Sequence, residues 1–126
     1  MRRRILLGCY VLSESVYEKY YLKALKTADS LRGHFDLAFE KYDMLITPVV
    51  SHTAPKLGEK LSPLDIYKTD ICTAGVNLAG LPAVSIPCGF YDGLPVGLQM
   101  IGPFGSDERL LSLAKKTEIL LKEHNI

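Results

Sequence analysis

The sequence predicts an α/β protein, because segments with the three-to-four-residue apolar period of helices are interspersed with short apolar or alternating segments typical of strands. A strong hairpin signal separates two of these strands. Three short strands can cover few of the apolar faces of four predicted helices. We therefore expect the 126 residues to belong to a larger sheet that is flanked by helices.

The first predicted helix starts at the basic run Arg2–Arg4, which passes directly into Ile5–Leu7. A charged helix face is favoured over a nucleic-acid-binding arm. The 15 basic and 14 acidic side chains leave a net charge of +1, which provides no excess field for nucleic acid or a membrane surface. A longer helix is predicted over Tyr17–Tyr42, where Gly33 is a candidate kink.

The middle of the chain predicts a strand, a loop and a further helix. Met44–Pro48 is a short apolar strand that ends at a proline, and residues 51–63 have the composition of a surface loop. Pro63 fits the first turn of a helix. That helix is predicted to continue through Asp70 and to stop at Gly80.

The last third predicts a hairpin and a closing helix. Ala83–Phe90 and Val96–Met100 alternate, and Tyr91–Gly93 between them is a turn signal. Pro87 cannot donate to a ladder, so its position lies at a sheet edge or a strand end. Ser106 and the next residue cap the last helix, whose predicted inward residues are Leu110, Leu113, Ala114, Thr117 and Leu121.

Cysteine and histidine spacing argues against a metal site. The three cysteines, Cys9, Cys72 and Cys88, are far apart and odd in number, which favours free thiols in a reducing compartment. The histidines lack ligand spacing with any cysteine or carboxylate. No apolar run approaches the roughly 20 residues that span a bilayer. We expect a cytoplasmic protein with no membrane partner.

Two residue sets resemble catalytic strings but favour a structural interpretation. Ser112–Lys115 reads S-x-x-K, but it lies within an amphipathic helix and lacks the companion motifs. Ser51–His52 places a serine beside a histidine with no orienting acid nearby. Asp70 and Asn77 are harder to dismiss. From the residues alone, a solvated helix carboxylate is favoured for Asp70, and a capping or turn hydrogen bond for Asn77.

Longer stretches resemble the amidase-signature family. Gly75–Pro87 and Gly93–Gly102 are similar to the C-terminal part of its members, at the family's spacing. Arg3–Gly8 and Tyr17–Ala24 are similar to the branch that supplies ammonia for tRNA-dependent amidation. Phe39–Asp43 and Tyr67–Asp70 extend that match. The resemblance covers essentially the whole chain, with a gap near residues 51–63.

The resemblance implies a large α/β domain whose mixed central sheet is flanked by helices. Residues 1–126 would then be the C-terminal portion of an amidase-signature domain. The family's serine nucleophile, bridging serine and lysine lie upstream of the matched region, and nothing in this sequence matches them. We therefore predict no catalytic residue in this chain and an absent catalytic N-terminal portion. Whether the chain alone is an enzyme stays open.

The resemblance also implies a substrate. In that branch, glutamine is cleaved and its ammonia converts glutamyl-tRNA(Gln), or the aspartyl equivalent, to the amide. Arg4 matches the arginine that holds the glutamine carboxylate, with Arg3 as the alternative if the register differs by one. Asp70 matches the aspartate that holds the glutamine ammonium. The predicted substrate-binding residues are therefore Arg4 and Asp70.

Partners follow from the same resemblance. In that branch the glutamine-cleaving protein works with amidotransferase subunits B and C, and tRNA is bound mainly through one of these partners. ATP and Mg are used by that partner, so no cofactor is expected in this chain. Two alternatives remain open: part of another amidase-signature hydrolase acting on a different small amide, or a non-catalytic remnant. A zwitterionic amino acid needs both charges, which favours the glutamine-dependent function.

Overall fold

The computed structural model describes residues 2–123, and in that range it contains five α-helices, one π-helical segment and three strands. In chain order they are α1 (Arg2–Val11), the π-helical segment (Glu18–Leu22), α2 (Lys23–Phe39), β1 (Leu45–Pro48), α3 (Pro63–Thr69), α4 (Ala74–Ala79), β2 (Ala83–Tyr91), β3 (Leu94–Ile101) and α5 (Asp107–Glu123).

The predicted long helix is present, but it changes type near its start. The π-helical segment Glu18–Leu22 leads directly into α2. Gly33 lies inside α2, which continues past it to Phe39. The local irregularity is therefore at the N-terminal end of this helix, where Tyr17 and Tyr21 stack with ring centroids 5.0 Å apart.

The predicted helix from Pro63 to Gly80 is instead two helices. α3 ends at Thr69, and Asp70 takes φ −92° and ψ 0°, outside the helical region. Thr69 Oγ1 donates to the Ile66 carbonyl at 2.6 Å, and Thr73 Oγ1 donates to the Asp70 carbonyl at 3.3 Å. The Thr69 hydroxyl competes with a backbone donor for the Ile66 carbonyl, and the Asp70 N–H bonds the Tyr67 carbonyl instead, which explains why the single-helix prediction was wrong here.

The ends of this pair of helices are as predicted. Ser62 precedes Pro63, and its Oγ accepts a hydrogen bond from the Asp65 backbone N–H at 3.2 Å. This is a standard N-cap, with proline in the first turn. At the other end Gly80 has φ 67°, the left-handed conformation that ends α4.

The three strands form one antiparallel sheet in the order β1–β3–β2. The predicted hairpin joins β2 to β3 through a two-residue turn in which Asp92 and Gly93 both have positive φ, 52° and 72°. β2 is an outer strand and carries Pro87, which confirms the prediction of an edge position. A register shift follows between Pro87 and Gly89.

Helices pack against part of each face of this sheet, so the described residues form three layers. On one face, α5 packs its Leu110 and Ala114 against Ile86 and Met100. This confirms the inward face predicted for α5. On the other face, Val76, Ala79 and Leu81 pack with Ile101, and α2 adds Phe35 and Phe39 behind them. The fold class is α/β, as predicted.

Helix α1 has no buried residue, and its apolar side chains are mostly exposed. Ile5, Leu6 and Leu7 remain at least 60% exposed. The basic run Arg2–Arg4 lies in α1, as the sequence predicts. Tyr10 approaches Tyr20 with ring centroids 6.4 Å apart. Helix α1 therefore presents an apolar surface that the described residues leave uncovered.

Candidate functional site

The turn between α3 and α4, residues 70–73, carries Asp70. Its main chain is held by its own hydrogen bonds, because the Asp70 carbonyl accepts from the backbone N–H groups of Thr73 at 3.1 Å and Ala74 at 2.8 Å. The side chain is exposed. Its carboxylate accepts a long hydrogen bond from Thr69 Oγ1 at 3.4 Å, and no ion pair within residues 2–123 engages it. The carboxylate is therefore available to a cationic group.

Gln99, in the central strand β3, ties this turn to the sheet. Its Nε2 donates to the Cys72 carbonyl at 2.9 Å and to Thr47 Oγ1 at 2.9 Å. Gln99 is 5% exposed, so these bonds lie out of water. One amide thus connects β1, β3 and the α3–α4 turn.

A cavity of about 1150 Å³ opens beside the turn. It lies between the loop that follows β1 and the half of the β2–β3 hairpin nearest its turn. Thr69, the neighbour of Asp70, is one of the lining residues. The lining is mainly apolar and includes Pro48, Cys88, Phe90, Val96 and Leu98. Asp70 itself does not line the cavity; it adjoins it through Thr69, whose Oγ1 lies 3.4 Å from the Asp70 carboxylate.

Arg4 lies in α1 and is exposed, as is Arg3. No hydrogen bond or ion pair joins Arg4 to Asp70 in the part of the chain that the structure describes. An amino-acid clamp would not require such a contact, because the ligand would lie between the two charges. The assignment of Arg4 and Asp70 to substrate binding stays a prediction.

The other polar candidates take structural roles. Asn77 Nδ2 donates to the Thr73 carbonyl at 2.9 Å, one helical turn earlier, which confirms the turn hydrogen bond. His52 Nδ1 bonds the Thr53 carbonyl at 2.8 Å instead of the Ser51 hydroxyl. Ser112 and Lys115 are both exposed on α5. None of these residues has the geometry of a nucleophile beside a base.

One carboxyl group has a perturbed pKa. The Ser62 hydroxyl donates to Asp65 Oδ2 at 2.6 Å, and together with Lys68, whose Nζ lies 3.3 Å from Oδ1, it lowers the pKa of Asp65. Asp65 lies in the first turn of α3, so this effect belongs to helix capping. Within residues 2–123, no three histidine, cysteine or acidic side chains cluster to bind a metal. No described helix has the length and hydrophobicity to cross a bilayer.

The fold and site together define a class of protein, an α/β domain portion in which a sheet-anchored turn presents a carboxylate beside a cavity. The family model "Amidase" matches residues 1–111, so the chain belongs to the amidase family. The A subunit of the Glutamyl-tRNA(Gln) amidotransferase of Symbiobacterium thermophilum is 50% identical over 125 residues, which is 98% of this chain and 26% of that relative. The corresponding protein of Moorella thermoacetica is also 50% identical over the same share. The resemblance found in the sequence is thus confirmed.

Solved structures give the same result. The A subunit of the Glutamyl-tRNA(Gln) amidotransferase of Thermotoga maritima matches with a TM-score of 0.72 and 43% identity, over 86% of this chain and 24% of that one. A structure described as an amidase matches with a TM-score of 0.69 and 28% identity, over 89% of this chain and 26% of the other. The chain spans about a quarter of the length of the curated relatives it matches.

Sequence reasoning missed Gln99. The signal was present, because Leu98 and Met100 on one side and Ile101 on the other indicate a strand buried on both faces. A glutamine in such a strand needs hydrogen-bond partners. The sequence did not reveal which partners these are, since Thr47 and Cys72 lie far away along the chain.

Proposed function

We propose that this chain is the substrate-binding C-terminal portion of the glutamine-cleaving component of an amidotransferase. Asp70 carries the proposal, because its exposed carboxylate stands on an anchored turn beside a cavity. It would bind the ammonium of glutamine. Arg4 would hold the glutamine carboxylate, since a planar guanidinium forms two parallel hydrogen bonds with that group.

The proposed reaction is the release of ammonia from glutamine for conversion of Glu-tRNA(Gln) to Gln-tRNA(Gln). The names of the Symbiobacterium and Moorella relatives support this substrate pair. The serine and lysine chemistry would be supplied from outside residues 1–126. Amidotransferase subunits B and C are the proposed partners, with ATP, Mg and most tRNA contacts in one of them, and the proposed location is the cytoplasm.

The test uses a full-length protein that carries this sequence, assembled with its partners. Asp70→Ala or Arg4→Ala removes one charge of the clamp, which typically costs about 2–5 kcal/mol, or roughly thirty- to several-thousand-fold in affinity. We expect the KM for glutamine to rise by that order. Amidation supported by added ammonia is expected to survive, because it bypasses glutamine.

Matched controls come from the same chain. Asp29→Ala removes an exposed carboxylate from α2, and Arg3→Ala removes the neighbouring guanidinium from α1. Both controls are expected to keep normal glutamine kinetics. A large effect of Arg3→Ala with none from Arg4→Ala would move the assignment by one residue. Normal glutamine kinetics in both Asp70→Ala and Arg4→Ala would reject the proposed site.

A second function is supported by the structural match to a protein described as an amidase. In that case the chain would be part of a hydrolase of another small amide. Such a substrate lacks the charged amino-acid end, so Asp70→Ala would leave its hydrolysis nearly unchanged. A panel of neutral amides assayed beside glutamine distinguishes the two functions. Activity with none of them would favour the non-catalytic remnant.

A further inference from the structure

We propose that Gln99 is a positioning residue that sets the conformation of the α3–α4 turn and thereby the direction of the Asp70 carboxylate. The proposal rests on the proposed function, in which Asp70 binds the glutamine ammonium. Gln99 is 5% exposed, so it would act without contacting the substrate. Its effect is transmitted through the backbone of residues 70–73.

The orientation of the Gln99 amide is determined by its partners. The Cys72 carbonyl can only accept a hydrogen bond, so it must face the NH₂ group and not the side-chain oxygen. The second N–H of that group donates to Thr47 Oγ1. Both donors of one buried amide are therefore used, and each engages a different chain segment. Rotation of the amide by half a turn would place two acceptors against each other.

The link from Cys72 to Asp70 is short and closed by hydrogen bonds. The Asp70 carbonyl accepts from two backbone N–H groups, those of Thr73 and Ala74 on the far side of Cys72. The Asp70 carbonyl thus has its partners within the turn and at the start of α4, and the Cys72 carbonyl has its partner, Gln99, on the sheet. Loss of the Gln99 bond frees the middle of the turn and leaves a carbonyl near the core without its donor.

Two substitutions in the full-length protein test this role. Gln99→Met keeps similar volume without a donor, and Gln99→Glu keeps the shape but presents an acceptor to the Cys72 carbonyl. Each variant is expected to raise the KM for glutamine roughly five- to hundred-fold, as for a lost buried hydrogen bond. The kcat for ammonia-supported amidation is expected to stay unchanged, which a general loss of folding would not allow.

Thr47→Val is the matched control, because it removes the other acceptor of the same amide and leaves the bond to Cys72. It is expected to lower the unfolding temperature, while the KM for glutamine changes about twofold or less. The double variant Asp70→Ala with Gln99→Met tests the route of the effect. If Gln99 acts through Asp70, Gln99→Met raises the KM for glutamine little further once Asp70 is alanine.

The outcomes separate this proposal from the proposed function. If Asp70→Ala leaves glutamine use intact, the proposed function itself fails. If Asp70→Ala is damaging and both Gln99 variants keep a normal KM, only the positioning role is overturned. Equal losses of the glutamine and ammonia reactions, or full additivity in the double variant, would likewise overturn it in favour of a general structural role. If Gln99→Met does not fold, Gln99→Glu and Thr47→Val still decide between these outcomes.

Discussion

The two faces of the sheet are covered in different ways, and strand β3 shows the contrast within three residues. Met100 faces α5 and packs with Leu110 and Ala114. Gln99 and Ile101 face the opposite layer. There the apolar cluster around Val76 gives way to an amide that holds the α3–α4 turn.

The difference separates two physical roles. Apolar burial on the α5 face is non-directional and scales with area, so it stabilises the fold without fixing a particular group. Hydrogen bonds on the α4 face are directional, and a buried amide that satisfies both donors specifies one arrangement. The candidate site residue, Asp70, belongs to the face with the directional anchor.

The largest effect expected from testing this contrast is on the α5 face. Leu110 is 2% exposed, and Leu110→Ala is expected to lower the free energy of unfolding by about 2–5 kcal/mol through lost burial and the remaining cavity. Leu111, which is 61% exposed, is the control, and Leu111→Ala should change it by about 0.5 kcal/mol or less. Denaturant titration gives both values. Equal losses would show that α5 does not pack as described.

A smaller effect is expected where the chain leaves β3 for α5. A Cβ at Gly102 would collide with Ser106 Oγ, which now donates to the Pro103 carbonyl at 2.7 Å. Gly102→Ala therefore forces the hydroxyl away and is expected to destabilise the fold by about 1 kcal/mol. In a Ser106→Ala background the same change should cost much less. An undiminished cost there would place the strain in the backbone instead.

A substitution at Gly33 is expected to change stability in the opposite direction. A Cβ there meets nothing within 4 Å, and the residue lies inside α2. Gly33→Ala is expected to stabilise the fold by about 0.5–1 kcal/mol, because glycine costs more chain entropy in a helix. Thermal unfolding of the two alanine variants should therefore move in opposite directions.

The smallest effect concerns pH and the exposed start of α3. The folded state lowers the pKa of Asp65, chiefly through the Ser62 hydroxyl. The stabilisation that ionised Asp65 gives the folded state is therefore fully present above its pKa in the unfolded chain. It is lost as the pH falls through the pKa of Asp65 in the folded state. Asp65→Asn should remove a slight acid-range dependence of the unfolding midpoint, measured between about pH 2 and pH 6. The same acid dependence in both proteins would contradict this role.

The sequence predicted most elements, but it did not predict every helix boundary. The hairpin turn at Asp92, the edge position of Pro87 and the start of α3 at Pro63 follow from local backbone chemistry, and the structure has all three. The break after Thr69 was missed. Polar and small residues interrupt the helical pattern over Tyr67–Thr73, but the pattern alone does not place the break, because the hydroxyl bonds that favour the turn depend on conformation.

For the site, the residue pattern singled out Asp70 but favoured a solvated carboxylate, and only the family resemblance assigned Arg4 and Asp70 to substrate binding. From its own neighbours, Asp70 resembles an ordinary helix carboxylate. The structure adds its exposure, the nearby cavity and the anchor at Gln99. Periodicity reports which side chains are buried, and it does not report which distant polar groups meet.

The sequence by itself therefore determined the α/β class, the hairpin, the inward face of α5 and the family. These features depend on side-chain period, on turn residues and on long identical stretches, all of which are local in the chain. Only the tertiary structure decided that the Gln99 amide bonds both Thr47 and Cys72, which lie 52 and 27 residues away along the chain. Hydrogen bonds of this kind require a full three-dimensional fold, because both donors of the amide find their acceptors only after the strands and the turn have packed together.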